Sequence, residues 1–158
     1  FWVDTTGQHG LICDIQDLGT AEWGCYGTVI VGANGTAIGT GQQNTNDILV
    51  GCSQSSGIAA EICNNSIAQG FSDWFLPSKD ELFQMYIHND KIHSTSMVNG
   101  GDLFGYYNIG EYYWSSSEIS STNAWMTDVC TGSEYTYPKD YDWAGIGGTM
   151  KVRAIRFF

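Results

Sequence analysis

Apolar segments of a few residues near both ends of the chain have the length and composition of β-strands. Residues 1–4 and 11–13 are two such segments, on either side of a polar turn that contains glycine. Residues 150–158 form another at the other end of the sequence. We therefore predict that the N- and C-terminal strands pair in a mixed or antiparallel sheet.

After Gly101 the pattern changes to a period of two, and the segments are rich in aromatic side chains. Residues 112–117, 124–130 and 134–137 have strand periodicity, and residues 131–133 separate the last two segments. Two strands joined by a short loop that contains glycine are typical of a β-hairpin. The pattern thus predicts one strand followed by a hairpin.

The spacing changes to three and four residues in the middle of the chain, as in an amphipathic helix. The apolar positions of residues 58–67 follow that spacing before Gly70, and Ser55 or Ser56 is placed to cap the helix. Cys63 falls on the apolar face, so we expect it to be buried.

The second predicted helix has the clearest start signal in the sequence. Ser78 and Glu81 stand at the spacing of a capping box, in which the serine side chain accepts from the N3 amide and the glutamate accepts from the cap amide. Leu82, Met85 and Tyr86 then mark the buried face of this helix.

Residues 14–51 are rich in glycine, threonine and asparagine and have little periodicity, so we predict a long, ordered surface excursion with short strands. Excursions of this kind often bind a ligand or brace their neighbours. The chain has 158 residues with no internal repeat and no linker, which suits one domain. The predicted fold class is α+β, with two helices around one sheet in a single domain over residues 1–158.

The charge balance excludes several kinds of partner. The chain has 17 acidic and 6 basic residues and a formal net charge of −11. Nucleic acids and anionic lipids are bound by clustered lysine and arginine, so we expect neither as a partner. No apolar run approaches the roughly 20 residues that span a bilayer, so we expect no direct membrane insertion.

The cysteines do not have the spacing of a zinc or thioredoxin site, because no CxxC pair occurs. An odd number leaves at least one thiol free or in an intermolecular bond, and the sequence leaves the pairing of the others open. We expect one or two bridges and a buried free thiol. The five are Cys13, Cys25, Cys52, Cys63 and Cys130.

No motif supports catalysis or a bound metal. Oxygen ligands that suit calcium are offered by Asp14, Asp17, Asp140 and Asp142, but these residues form no DxDxDG loop. We therefore expect no metal and no cofactor, with a bound calcium ion as the alternative. The serines 115–117 are not framed by a GxSxG elbow. We therefore predict that the protein is not an enzyme.

The hairpin and the loop after it mix aromatic side chains with small polar and acidic ones. Tyrosine and tryptophan give a large contact area at low entropic cost, and small polar residues give adaptable hydrogen bonds. Alternate residues of a strand must face away from the core. We expect Trp114 and Trp125 to lie in the core itself. The predicted ligand-binding residues are Thr127, Asp128, Thr131, Ser133, Tyr135, Tyr137, Asp140, Tyr141, Asp142 and Trp143.

Seven short motifs, in order along nearly the whole chain, resemble the bacterial Lcl C-terminal-like domain family, which is named for a collagen-like adhesin. They read DTTGQHGL, WGCYGT, AIGTGQ, SDWFLPSKDEL, YWSSSE, NAW and VRAIR, at residues 4–11, 23–28, 37–42, 72–82, 113–118, 123–125 and 152–156. Each motif is weak by itself, and the ordered set is specific.

The resemblance implies a C-type-lectin-like fold, distantly similar to formylglycine-generating enzymes. Family members are mostly extracellular modules at the tips of adhesins or phage-related fibres, and the adhesin domain is a trimer that binds sulfated glycosaminoglycans. For this chain the resemblance implies the C-terminal part of a longer protein, with its first strand clipped. It also implies display at a cell surface or at a virion or fibre tip, and assembly as a homotrimer. Sulfate groups are bound by basic residues, which are scarce in this chain before Lys139. A sulfated glycosaminoglycan therefore fits this chain poorly as a ligand.

Many members also resemble targets of diversity-generating retroelements, which rewrite codons near the C-terminus. Residues 126–149 have the composition that this implies. We therefore predict a non-catalytic, extracellular ligand-binding or adhesion domain, with a diversified binding face at residues 126–149, whose partner is a protein or glycan on another cell or particle. The alternatives are a fixed-specificity glycan-binding adhesin, a structural fibre domain and, in last place, an enzyme of the formylglycine-generating type.

Overall fold

The structure, a computed structural model, describes residues 1–105, 110–141 and 150–158. Over these ranges it is an α+β fold with helices in the middle of the chain and strands toward both ends, which confirms the predicted class. The strands are β1 (Trp2–Val3), β2 (Gly10–Cys13), β3 (Tyr112–Glu118), β4 (Asn123–Asp128), β5 (Glu134–Pro138) and β6 (Ile155–Phe157). The helices are α1 (Gly41–Gly51), α2 (Ala59–Asn64), α3 (Lys79–Ile87) and α4 (Asn89–Val98).

The two ends of the chain meet in one antiparallel sheet with the strand order β1-β2-β6. Leu11 pairs with Phe157, so the predicted contact between the terminal strands is confirmed. The last strand is shorter than predicted because the chain before it pairs elsewhere. Lys151 forms isolated bridges with Thr20 and with Tyr113.

The aromatic segments form a second antiparallel sheet with the order β3-β4-β5. Met126 of β4 lies opposite Trp114 of β3 on one side and Tyr135 of β5 on the other. The predicted strand and hairpin are therefore confirmed, but the prediction of one sheet is wrong. The two sheets are separate, and the single bridge between Tyr113 and Lys151 joins β3 to the segment that precedes β6.

Helix α3 begins as its capping box predicts. The Ser78 hydroxyl accepts from the Glu81 amide at 3.4 Å, and the Glu81 carboxylate accepts from the Ser78 amide at 2.7 Å. Leu82 and Met85 are buried, and Tyr86 is half-buried. The local sequence signal therefore gives both the start and the inner face of this helix.

The first predicted helix is shorter than its apolar spacing indicated. Helix α2 begins after Ile58 without a side-chain cap, so neither Ser55 nor Ser56 has the predicted role. It ends at Asn64, after which the Ser66 hydroxyl accepts from a nearby amide and competes with helical hydrogen bonds. Cys63 is buried, as predicted.

The prediction of two helices is wrong, because the described part of the chain contains four. Helix α1 lies in the segment predicted to be an excursion with short strands, and its buried side includes Asn44 and Thr45. Their side chains bond to Gly35 and Leu76, so a polar inner face is satisfied without apolar periodicity. Helix α4 likewise buries Ser96 beside its apolar residues.

Strand β3 separates two clusters of buried side chains. Trp114 points into a cluster that includes Trp23 and Trp74, which confirms its predicted place in the core. The neighbouring Tyr113 points the other way, into a cluster with Phe75 among others. This alternation along β3 explains why one strand supports both halves of the core.

A buried ion pair fixes the end of the hairpin to the rest of the domain. The side chains of Lys139 and Glu118 are both buried and contact each other directly. Lys139 also donates to the carbonyl of Thr28 at 2.8 Å, and Glu118 accepts from the amide of Ile30 at 2.9 Å. The ammonium lies 4.7 Å from the centre of the Trp23 ring. Three distant segments therefore converge on one pair of charges.

One disulfide joins Cys25 to Cys52, across a sequence separation of 27 residues. The described thiols that remain free are those of Cys13, Cys63 and Cys130. The expectation of one or two bridges with a buried free thiol is therefore confirmed within this chain, and Cys63 is the buried one.

We expect the substitution Lys139→Met to lower the free energy of unfolding by about 3–5 kcal/mol, because it leaves the Glu118 charge buried without its partner. Adding Glu118→Gln should recover part of that loss, since the double variant has no unpaired charge. Urea unfolding of the single and double variants measures both effects.

The matched control for this prediction is Lys79→Met. Lys79 pairs with Glu134 at 2.7 Å, but both side chains are partly exposed, so we expect a loss of about 1 kcal/mol or less. Equal losses for Lys139→Met and Lys79→Met would contradict the central role of the buried pair.

Candidate functional site

The candidate site lies on one face of the β3-β4-β5 sheet. Cross-strand pairs share a face of a sheet, and residues two apart along a strand return to it. Met126 pairs with Tyr135, and the adjacent pair on the same face contains Tyr137. Tyr112 stands two residues before Trp114, which is also on this face. The strand register therefore gathers three tyrosines around one methionine.

These side chains enclose a cavity of about 240 Å³. Its lining among the described residues is Tyr112, Met126, Tyr135, Tyr137 and Met150, which we call the tyrosine pocket. The rings of Tyr112 and Tyr135 are 6.4 Å apart and inclined at 71°. The two rings form adjacent walls at nearly a right angle, and Tyr135 is 45% exposed at the mouth.

The ring of Tyr112 packs against the backbone at Gly110. A Cβ atom at Gly110 would lie 2.5 Å from the Tyr112 ring, so the ring occupies space that any other residue at position 110 would need. Burial raises the pKa of Tyr112, and the negative charge of Asp128 raises it further. The phenol is therefore neutral at physiological pH, and its ring faces the pocket as an uncharged wall.

Tyr141 and Asp140 continue the site beyond β5. The Tyr137 and Tyr141 rings are 4.8 Å apart and inclined at 65°, an edge-to-face contact. Asp140 is exposed. Tyr141 therefore lies against the pocket wall formed by Tyr137, and Asp140 is its neighbour in the chain.

Thr127 and Asp128 are buried, with exposures of 1% and 5%. Thr127 pairs with Tyr113 on the opposite face of the sheet from the pocket. Direct ligand contact was predicted for both residues, and their burial leaves them no free surface for it. The reason is that β4 is the central strand of its sheet, with β3 and β5 on its two sides.

Asp128 instead holds the hairpin turn. Its carboxylate accepts from the Cys130 amide and from the Thr131 hydroxyl, both at 3.0 Å. The Thr131 hydroxyl also lies 3.0 Å from that of Ser133. Gly132 has a φ of +75° and packs against the Tyr86 ring, where a Cβ atom would lie only 2.3 Å away. The turn is thus fixed both to β4 and to α3.

The structure therefore divides the ten predicted binding residues. Tyr135, Tyr137 and Tyr141 come together at the pocket, while Thr131 and Ser133 lie at the turn. Asp142 and Trp143 lie outside the described residues.

Sequence reasoning missed Tyr112 and the two methionines of the pocket. Tyr112 directly precedes the YWSSSE motif, and its neighbour Tyr113 is part of the core. The period-two pattern places alternate residues on opposite faces, but the register that sets Tyr112 beside Tyr135 is not encoded in one strand alone. Met150 comes from a distant segment, so no local signal marks it.

The predicted core position of Trp125 is wrong. Trp125 is only half-buried, on the opposite face from the pocket. The Lys79 ammonium lies 5.0 Å from the centre of its ring and 2.7 Å from the Glu134 carboxylate. Lys79, which is paired with Glu134, thus covers the Trp125 ring on the face of the sheet opposite Met126.

Three of the carboxylates suggested as calcium ligands, Asp14, Asp17 and Asp140, are described by the structure and form no metal-binding group there. The fourth, Asp142, lies outside the described residues. Asp17 pairs with Arg153 at 2.7 Å and with Lys151 at 3.3 Å. Asp14 is buried, and Asp140 lies at the end of the hairpin. Within residues 1–105, 110–141 and 150–158, no group of three or more histidine, cysteine or acidic side chains is placed to hold a metal ion.

The free thiols lie in environments that disfavour the thiolate. Burial raises the pKa of Cys13 to about 12 and that of Cys63 well above its usual value. Burial also raises the pKa of Cys130. Each of these thiols is therefore protonated at neutral pH, the form in which cysteine is a weak nucleophile.

No protein-family profile matches this chain, and no curated protein matches it either. The described helices are all too short or too polar to cross a membrane. The geometry of the tyrosine pocket is therefore the ground on which a function is proposed.

We expect Asp128→Ala to loosen the hairpin and lower the free energy of unfolding by about 1–3 kcal/mol, because the Cys130 amide and the Thr131 hydroxyl lose their acceptor. Amide hydrogen exchange should become faster in residues 128–133. The control is Asp4→Ala, since Asp4 caps an exposed turn in the terminal sheet in the same way. Equal exchange rates at the hairpin in both variants would contradict the role of Asp128.

Proposed function

We propose that this chain is a non-catalytic, extracellular ligand-binding or adhesion domain with a C-type-lectin-like fold. The tyrosine pocket and the neighbouring residues of the hairpin would contact a protein or glycan on another cell or particle. The observation that carries the proposal is the cluster of one exposed and two half-buried tyrosines, Tyr135 with Tyr112 and Tyr137, around a cavity on a firmly held sheet. The paired terminal strands and the separate aromatic sheet support the fold assignment.

Tyrosines on a rigid support are suited to binding. They bury a large area with few rotatable bonds, and they combine an apolar ring with a hydroxyl. The pocket is supported by Trp114 and Met126, which belong to the main core cluster. Because the support is ordered before a ligand arrives, binding loses little conformational entropy.

The charges near the pocket favour ligands other than sulfated ones. Lys139 is buried against Glu118, and Lys151 contacts Asp17 and Glu111. The sequence of residues 142–149 contains no lysine or arginine. A sulfate group would therefore find no available cation beside the described part of the pocket.

The thiol environments support a binding role over an enzyme of the formylglycine-generating type. Such enzymes rely on a reactive pair of cysteines. Here the Cys25–Cys52 pair is a disulfide, and burial raises the pKa of Cys13 and Cys63. The disulfide also suits an oxidising compartment outside the cytosol.

The test is a panel of immobilised glycans and of surface proteins, probed with the wild-type domain and with Tyr135→Ala and Tyr137→Ala. We expect a ligand whose affinity falls at least tenfold in both variants, as for truncated aromatic anchors at interfaces. Tyr26→Ala is the matched control, because Tyr26 is 54% exposed outside the pocket. Ligands that bind the wild type and all three variants equally would contradict the proposed face.

A further inference from the structure

The tyrosine pocket has an unusual lining for its size. Its described walls are three phenol rings and two thioethers, from Tyr112, Tyr135, Tyr137, Met126 and Met150. The volume of about 240 Å³ is below the range of about 300–1,000 Å³ that is usual for drug-sized ligands. It suits one side chain or one head group rather than a whole sugar chain or cofactor.

The rings are oriented so that one guest contacts two π-faces or edges at once. Tyr112 and Tyr135 stand 6.4 Å apart at 71°. A cation in the corner between two such rings can lie within about 6 Å of both centroids, the distance over which aromatic rings attract cations. Methionine sulfur is polarizable and adapts to a guest of irregular shape.

The charge around this corner is negative. Asp128 lies directly opposite Tyr112 in the sheet, and its carboxylate raises the pKa of that phenol. The nearest lysine in sequence to the pocket, Lys151, directs its ammonium to Asp17 and Glu111. The whole chain carries a net charge of −11. A cationic guest is therefore favoured both at the pocket and at long range.

We infer that the tyrosine pocket receives the alkylammonium group of a lysine side chain on a basic partner protein. This inference rests on the proposed function and specifies the ligand of the same face. The aliphatic part of a lysine packs along the rings while its charge faces them, which matches a lining whose described residues include no cation. A lysine side chain also matches the volume of the pocket better than a larger ligand does.

The experiment titrates the domain, labelled with ¹³C at its methionine methyl groups, with small probes. The charged probes are Nα-acetyl-lysine methylamide and its Nζ-trimethyl derivative, and the neutral probe carries a tert-butyl group in place of trimethylammonium. The methyl signals of Met126 and Met150 report the pocket. Met85 in the core and Met97 on the exposed side of α4 are internal controls.

We expect the charged probes to shift the two pocket signals and not the control signals. The neutral isostere should bind about fivefold or more weakly, the ratio that about 1 kcal/mol of cation–π attraction gives. Tyr135→Ala should abolish the shifts, whereas Tyr135→Phe keeps the ring and should retain them. Tyr26→Ala should leave the titration unchanged.

Three results would overturn the inference. Equal affinity for charged and neutral probes would mean that the pocket is only apolar, and no binding of either would mean that lysine is not its guest. Binding of tetramethylammonium without either lysine derivative would show selection of small free cations. If any of these occurs while a ligand from the panel still depends on Tyr135 and Tyr137, the proposed function stands and only the lysine assignment fails.

Discussion

The ammonium of Lys139 and the carboxylate of Glu118 meet in the interior, where neither has water to replace its partner. Lys139 directly follows β5, and Glu118 is the last residue of β3, so the pair joins the two outer strands of the aromatic sheet. Bonds to Thr28 and Ile30 extend the connection to the segment after Trp23. The position of the tyrosine pocket depends on this pair, because both tyrosine walls of the pocket lie on the strands that it joins. Tyr112 lies on β3, and Tyr135 and Tyr137 lie on β5.

A second fixed point lies at the other end of the hairpin. Asp128 holds the turn, and Gly132 packs against α3. Between these two points, the strand register places Tyr135 and Tyr137 on the same face as Met126, which belongs to the main core cluster. The walls of the pocket are therefore supported directly by core side chains of the same sheet.

The features that could be predicted from sequence are those with a local cause. The capping box at Ser78 and Glu81 sets the start of α3, and period-two alternation identifies the hairpin. Helix α1 could not be predicted, because Asn44 replaces apolar side chains on its buried face and bonds to residues distant in sequence. The pocket could be predicted only in part, because the place of Tyr112 depends on strand register, which is a tertiary property.

We propose that the exposed and half-buried side chains of this hairpin vary with the ligand, while its buried side chains hold the fold. Sequencing the codons for residues 110–158 in sibling copies of the gene from one population tests this proposal most directly. Substitutions should concentrate at the exposed and half-buried positions and spare Asp128 and Lys139. The exposed and half-buried positions are Thr131, Ser133, Tyr135, Tyr137, Asp140 and Tyr141. A uniform sequence, or substitutions equally frequent at the buried positions, would contradict the claim.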